Sequence, residues 1–180
     1  NDIYVTGGTN SSDFPITINA YQTLYQDSLK ADAFVTKISS NGTQVLSSSY
    51  FGTEQYDQSY FVEIGGTNAV YLFGQTKSTG TQLVNGATYS IVDGGQFIAV
   101  FNKDLSSVLR STVIGTGKGT PDISPTAFLV DVCDKIYIAG WGSNLGGSLS
   151  TLNLPVTPNA YQETTDGNDV YLMVIDDALS

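Results

Sequence analysis

The sequence predicts an all-β fold assembled from repeated four-stranded sheets. Three observations carry this. Short runs rich in Val, Ile, Phe and Tyr are bounded by Gly, Asn, Asp and Pro, the pattern of strands between turns. No segment carries a capped apolar stripe of helical period. The runs also recur in one fixed order along the chain.

The first run of each unit contains a tyrosine: "IYVTGGT" at Ile3, "VYLFGQT" at Val70 and "IYIAGWG" at Ile136. Tyr4, Tyr71 and Tyr137 stand about 66 residues apart. A second run follows each: "DAFVTKI" at Asp32, "GQFIAVF" at Gly95 and "DVYLMVI" at Asp169. The third is "QVLSSSYFG", ending at Gly52, and "SVLRSTVIG", ending at Gly115. The fourth is "SYFVEIGG" at Ser59 and "TAFLVDVC" at Thr126, each preceding the next tyrosine run. Counted from the tyrosine runs, the units are 1–64, 65–132 and a partial 133–180.

The connections have their own chemistry. Asn41-Gly42 is a hairpin signal, because both residues tolerate positive φ. The matching "FNKDLSSV" lacks that pair, which predicts a longer loop. "NAYQTLYQ" has room for a short helical turn at most. "FPITINAYQT" at Phe14 and "LPVTPNAYQE" at Leu154 are near-copies, expected to join the tyrosine strand to the next strand of its unit. Tyr21 and Tyr161 are expected to pack against that unit. The middle unit has "TQLVNGATYS" instead, so Asn85 to Ser90 is where a difference is expected.

"FIAVF" (Phe97 to Phe101) and "VYLMVI" (Val170 to Ile175) have no polar residue to turn toward water. Such strands belong in a sheet covered on both faces. Repeated four-stranded sheets stacked face to face describe β-propeller blades, and the chain holds roughly two and two-thirds of them. A closed propeller needs about 4 to 8 blades. The chain therefore reads as a fragment, completed by other blades of the same or another chain. It opens inside a strand and ends at "VIDDALS", where a further strand is expected.

The stretch "YVTGGTNSSDFPITINAYQTLYQ" with "ADAFVTKISSNGTQVLSSSYFG" resembles the bacterial seven-bladed-type propeller repeat. "STVIGTGKGTPDISPTAFLVDVCDKIYIAGWGS" is similar to the propeller region of large surface proteins of gliding bacteria. These carry PKD-type domains and a gliding-motility-associated sorting domain. The resemblance implies export by type IX secretion and a place on the cell surface or outside the cell. It implies no catalytic residues.

Composition narrows the partners. The net charge is −10 with seven basic residues, which disfavours nucleic acid and anionic membrane surfaces. No apolar run approaches the roughly 20 residues of a spanning helix. Charged residues are 13% of the chain, against about 25% in typical domains. The polar remainder is Ser, Thr, Asn, Gln and Gly, a mix closer to exported β-rich proteins than to cytosolic helical ones. The chain has one cysteine and no histidine, which leaves Cys133 without a disulfide or a histidine base. Cys133 is expected to be a small buried core residue.

Four candidate sites remain. Trp141, read as a loop residue in "GWGSNLGG", would stack on a sugar ring or anchor a partner, or else tuck between blades. Asp166, Asn168 and Asp169 in "TTDGND" form a short calcium-type loop or an Asp-Gly turn. Asp27-Ser28-Leu29 fits a short O-glycosylation pattern at Ser28 of such exported proteins. Asp131, Asp134, Asp176 and Asp177 would have to face one cleft to run glycoside hydrolysis. Asn10 and Asn41 match a glycosylation sequon but read as turns, and "GTGKGT" lacks the spacing of a phosphate loop.

The expected function is non-catalytic: adhesion, surface-structure assembly or partner display, with surface glycans or proteins as partners and no cofactor. A carbohydrate-binding propeller is the alternative. A carboxylate-dependent glycoside hydrolase or lyase is the third reading.

Overall fold

The computed structural model describes residues 2–26, 29–143 and 148–180. Its strands are β1 (Ile3–Thr9), β2 (Asp32–Ile38), β3 (Val45–Phe51), β4 (Asp57–Ile64), β5 (Val70–Thr76), β6 (Gln96–Phe101), β7 (Val108–Ile114), β8 (Ser124–Val130), β9 (Ile136–Trp141) and β10 (Val170–Ile175). The described residues contain no helix, and "NAYQTLYQ" is turn and coil. The all-β expectation holds.

Three antiparallel sheets form, in the orders β1-β2-β3, β4-β5-β6-β7 and β10-β9-β8. The fourth run of each unit joins the sheet that follows it, so the sheets start one strand earlier than units counted from the tyrosine runs. The turn between β4 and β5 is the reason. Asn68 takes φ 63° there. Its N–H donates to the Gly65 carbonyl at 3.0 Å, while the Gly65 N–H donates to the Ala69 carbonyl at 3.0 Å. So tight a reversal makes β4 and β5 neighbours.

The sheets stack, and the middle one is covered on both faces. Strand alternation assigns its side chains to two cores. Val70, Leu72, Phe97, Ala99 and Phe101 face the first sheet, against Ala33, Val35 and Phe51. Tyr71, Phe73, Ile98, Val100 and Ile114 face the third sheet, against Phe128, Ile136, Ile138 and Ile175. Every residue of β5 and β6 is buried. Aromatic contacts weld both joints. Phe51 meets Phe97 at 5.1 Å and Phe101 at 5.6 Å, and Phe73 stacks on Phe128 at 5.6 Å. Each such pair adds about 0.5–1.5 kcal/mol beyond area burial.

β6 therefore behaves as its composition predicts, but β10 does not. Its Val170, Leu172 and Val174 are 65%, 74% and 59% exposed, because no described residue covers them on the outer face of the third sheet. We call the face a sheet turns toward the preceding sheet its front, and the opposite face its back.

One glycine in each tyrosine run has a steric cause. Gly7, Gly74 and Gly140 stand opposite Phe34, Phe97 and Tyr171 on the neighbouring strand. At Gly7 and Gly74 the ring crosses the glycine, whereas a Cβ on Gly140 would meet Ile123 at 2.6 Å. A Cβ on Gly74 would lie 2.2 Å from the Gln58 carbonyl oxygen and 2.5 Å from the Phe97 ring, whereas one on Gly7 would meet only the Phe34 ring, at 2.9 Å.

The hairpins of the first two sheets have the same length, so the longer loop expected in "FNKDLSSV" is absent. The Ser39 N–H donates to the Gln44 carbonyl at 2.9 Å, and the Asn102 N–H to the Ser107 carbonyl at 3.1 Å. Gly42 takes the left-handed position with φ 74°, and Leu105 takes the same position with φ 57°. "VIDDALS" repeats the turn rather than starting a strand, with Leu179 at φ 56°. Leu105 and Leu179 are fully buried. Each carbonyl accepts a bond from the preceding sheet's long loop: Tyr21 N–H to Leu105 at 3.0 Å, and Tyr89 N–H to Leu179 at 2.9 Å. A leucine held in a strained backbone region thus plugs each joint.

These long loops also cover sheet edges. Residues 17–22 run beside β3, where the Thr17 N–H donates to the Ser48 carbonyl and the Tyr50 N–H to the Gln22 carbonyl, both at 3.1 Å. Residues 85–91 run beside β7 in the same way, with the Asn85 N–H donating to the Ser111 carbonyl at 2.9 Å. The middle loop, expected to differ, performs the same task with other side chains, because the bonds are made by backbone. Tyr21 rests edge-on against Phe101 at 5.8 Å. Tyr161 is fully exposed. It was expected to pack, but no fourth strand pairs with β10 among the described residues.

Gly74→Ala is expected to cost at least about 3 kcal/mol, because backbone must move, and Gly7→Ala about 1 kcal/mol, because a ring can shift. Urea unfolding midpoints of the two variants check this ordering.

Candidate functional site

Trp141 is the last residue of β9 rather than a loop residue. It is 44% exposed and pairs in register with Val170 on one side and Ser124 on the other. Alternation along β9 places it on the back face with Tyr137 and Ala139, while Ile136 and Ile138 point into the core. Its counterpart in the middle sheet is Gln75, whose Nε2 donates to the Ile123 carbonyl ahead of β8 at 2.8 Å. In the middle sheet this position lies in the joint with the third sheet, whereas Trp141 is on the third sheet's exposed outer face.

The "TTDGND" loop closes on itself. The Asp166 carboxylate accepts from the Asn168 N–H at 2.9 Å, and the Gly167 N–H donates to Thr165 Oγ1 at 2.9 Å. Thr165 in turn donates to the Asp169 carboxylate. With Gly167 at φ 96°, this is an Asp-Gly turn feeding β10. Among the described residues, no three His, Cys, Asp or Glu side chains group to hold a metal ion. Ser28 lies outside the described residues.

Cys133 is exposed, contrary to expectation. It sits in the β8–β9 turn, where its N–H donates to Asp131 at 2.8 Å and Asp134 takes φ 60°. The turn geometry, not the apolar flanks, sets its surroundings.

The four strand-end carboxylates serve turns and joints. Asp131 accepts from the N–H groups of Cys133 and Lys135 and from the Tyr137 hydroxyl. The Lys135 N–H bond leads in holding the Asp131 carboxyl below the usual range. Asp176 accepts from the hydroxyl and N–H of Ser180, which lower it likewise. Asp134 accepts from the Gly66 N–H at 2.7 Å, tying the β8–β9 turn to the β4–β5 turn. Asp177 is paired with Arg110 of β7 and accepts from the Tyr71 hydroxyl at 2.6 Å. Burial, with that bond, pushes the Tyr71 phenol up. A glycosidic acid needs a raised carboxyl, and Asp131 and Asp176 are shifted the other way.

The structure also shows a carboxylate seam that the sequence reading missed. Asp32, Asp57 and Asp122 are fully buried. Asp57 accepts from the Thr53 N–H at 2.6 Å, Thr53 Oγ1 at 2.9 Å and Thr76 Oγ1 at 2.5 Å. Asp122 accepts from the Thr116 N–H at 2.9 Å and Thr116 Oγ1 at 2.7 Å, and pairs with Lys118 at 3.1 Å. Asp32 accepts from Gln22 Nε2 at 3.2 Å and the Gln26 N–H at 2.9 Å. Thr53–Asp57 and Thr116–Asp122 each staple the crossover from one sheet to the next. The signal was present as "GTEQYD" and "GTGKGTPD", hidden by a two-residue difference in loop length.

Comparison with protein families and with curated proteins finds no match to the chain. Among the described residues, no helix is long and apolar enough to cross a membrane.

Asp57→Ala and Asp122→Ala strand buried donors and are each expected to cost more than about 2 kcal/mol. Thermal unfolding against Asp166→Ala, expected near neutral, checks the difference.

Proposed function

We propose that the chain is a non-catalytic segment of a β-propeller, belonging to an exported bacterial surface protein and serving adhesion, surface assembly or partner display. One observation carries the architectural part: three antiparallel sheets stack front to back in register with the sequence repeat, each joint sealed by the same positions. The acidic groups support the non-catalytic part, since those at strand ends hold turns and those in the seam hold crossovers. The resemblance to gliding-bacterial surface proteins supports the setting.

The exposed ring of Trp141 favours a second reading, in which the protein binds carbohydrate. An array of glycans and surface proteins separates the readings. The first expects retention of a macromolecular partner and no turnover of glycoside substrates. Turnover abolished by Asp131→Asn or Asp176→Asn would contradict it. The second expects glycan retention that Trp141→Ala weakens at least about tenfold, a loss of about 1.4 kcal/mol. If no glycan is retained, the second reading falls.

A further inference from the structure

The two end faces of the stack are apolar, and they match one another. On the front of the first sheet lies a hollow of about 290 Å³ lined by Val5, Phe14, Phe34, Thr36, Ile38 and Val45. The repeat aligns five of these with middle-sheet residues: Val5 with Leu72, Phe34 with Phe97, Thr36 with Ala99, Ile38 with Phe101 and Val45 with Val108. All five counterparts belong to the core between the first and middle sheets, where long-loop Leu83 takes the part of Phe14. There the groove is filled by a back face, with Val35 and Tyr4 among its residues. The hollow is the same groove without its occupant.

The third sheet displays a free back face. Leu129, Tyr137, Trp141, Val170, Leu172 and Val174 are between 38% and 74% exposed. The repeat aligns Leu172 with Val35 and Ile98, and Tyr137 with Tyr4 and Tyr71, which fill the two internal joints. None of the hollow-lining or back-face residues named here is charged, so the net charge of −10 lies elsewhere.

We propose that the front of the first sheet docks on the back of the third sheet of a second copy of this chain, continuing the internal stacking. This rests on the propeller-type stacking proposed above. The joint would bring the Gly42 carbonyl to the Tyr161 N–H, as Leu105 meets Tyr21 and Leu179 meets Tyr89. Gly42 supplies the carbonyl without the leucine plug, so this joint is weaker than the internal two. Such a head-to-tail contact is heterologous: it closes a ring or extends a filament. Long-range repulsion between acidic copies is screened by salt, so association strengthens as salt rises.

Trp141 is the only tryptophan, and its emission reports the joint directly. Sedimentation equilibrium of the 180-residue chain, with emission read in parallel, tests the proposal. Wild type is expected to associate with a blue shift of Trp141. Val5→Asp spoils only the front and Leu172→Asp only the back. Each alone is expected to associate at least about a hundredfold more weakly, because a carboxylate would enter an apolar joint. An equimolar mixture of the two, each with one intact face, is expected to recover a complex of two chains. Circular dichroism confirms folding of both variants, whose substituted positions are exposed. A wild type that stays monomeric up to high concentration overturns the proposal. So does a Val5→Asp variant that associates like wild type, since that contact is back to back, or a mixture that stays monomeric. The glycan and protein array is read on the Val5→Asp variant, whose Trp141 face stays open, so failure of the joint and failure of the binding reading are distinguishable.

Discussion

The whole molecule depends on the burial of β5 and β6 between two apolar sheets. A strand with side chains on two faces can bury both only if something covers each. The middle sheet achieves this with Phe97 and Phe101 on one side and Tyr71 and Phe73 on the other. At about 1.5–3 kcal/mol for each large side chain removed from water, these two strands carry much of the favourable side of the balance. The outer sheets each cover one face of the middle one and leave their own outer face to water.

Other features follow from holding sheets at that spacing. Glycine opposite an aromatic residue lets Phe97 cross the backbone at Gly74. The carboxylate seam fixes each crossover at its sheet-to-sheet step. Leucine in a left-handed turn, at Leu105 and again at Leu179, reaches back into the preceding sheet and lends its carbonyl to that sheet's loop. The same loops pair with the edges of β3 and β7, which would otherwise offer open backbone to another chain. First-sheet Gly42 makes the same turn with nothing among the described residues near its Cβ position.

Most strands were legible, because the tyrosine runs and their partners repeat with strong β character. β6 was legible as doubly buried from its composition alone. β10 has the same composition but a different surrounding, since local sequence reports what a strand can bury and not whether a neighbour is there. The grouping of β4 with β5 depended on a tight turn at Asn68, which a count from the tyrosine runs passes over. Cys133 and the loop at Leu105 were misjudged for one reason: turn geometry placed an apolar-flanked cysteine in water and let a leucine take the left-handed position, so no longer loop was needed. The middle loop looked divergent because its side chains differ, although its backbone makes to Ser111 and Leu179 the bonds that the first loop makes to Ser48 and Leu105. Of the candidate site, Asp166 was legible as a turn from its Asp-Gly step. Trp141 was not legible as a face residue, because glycines on either side suggested a loop.

The molecule is a stack of three sheets with exposed apolar side chains on its two outer faces. Native-state hydrogen exchange tests its foundation most directly, since amide protection grades local against global opening. The account predicts that the amides of β5 and β6 exchange only through global unfolding, while those of β1 and β10 exchange faster. Protection of β10 equal to that of β6 in a monomer, or early exchange of β6, would contradict it.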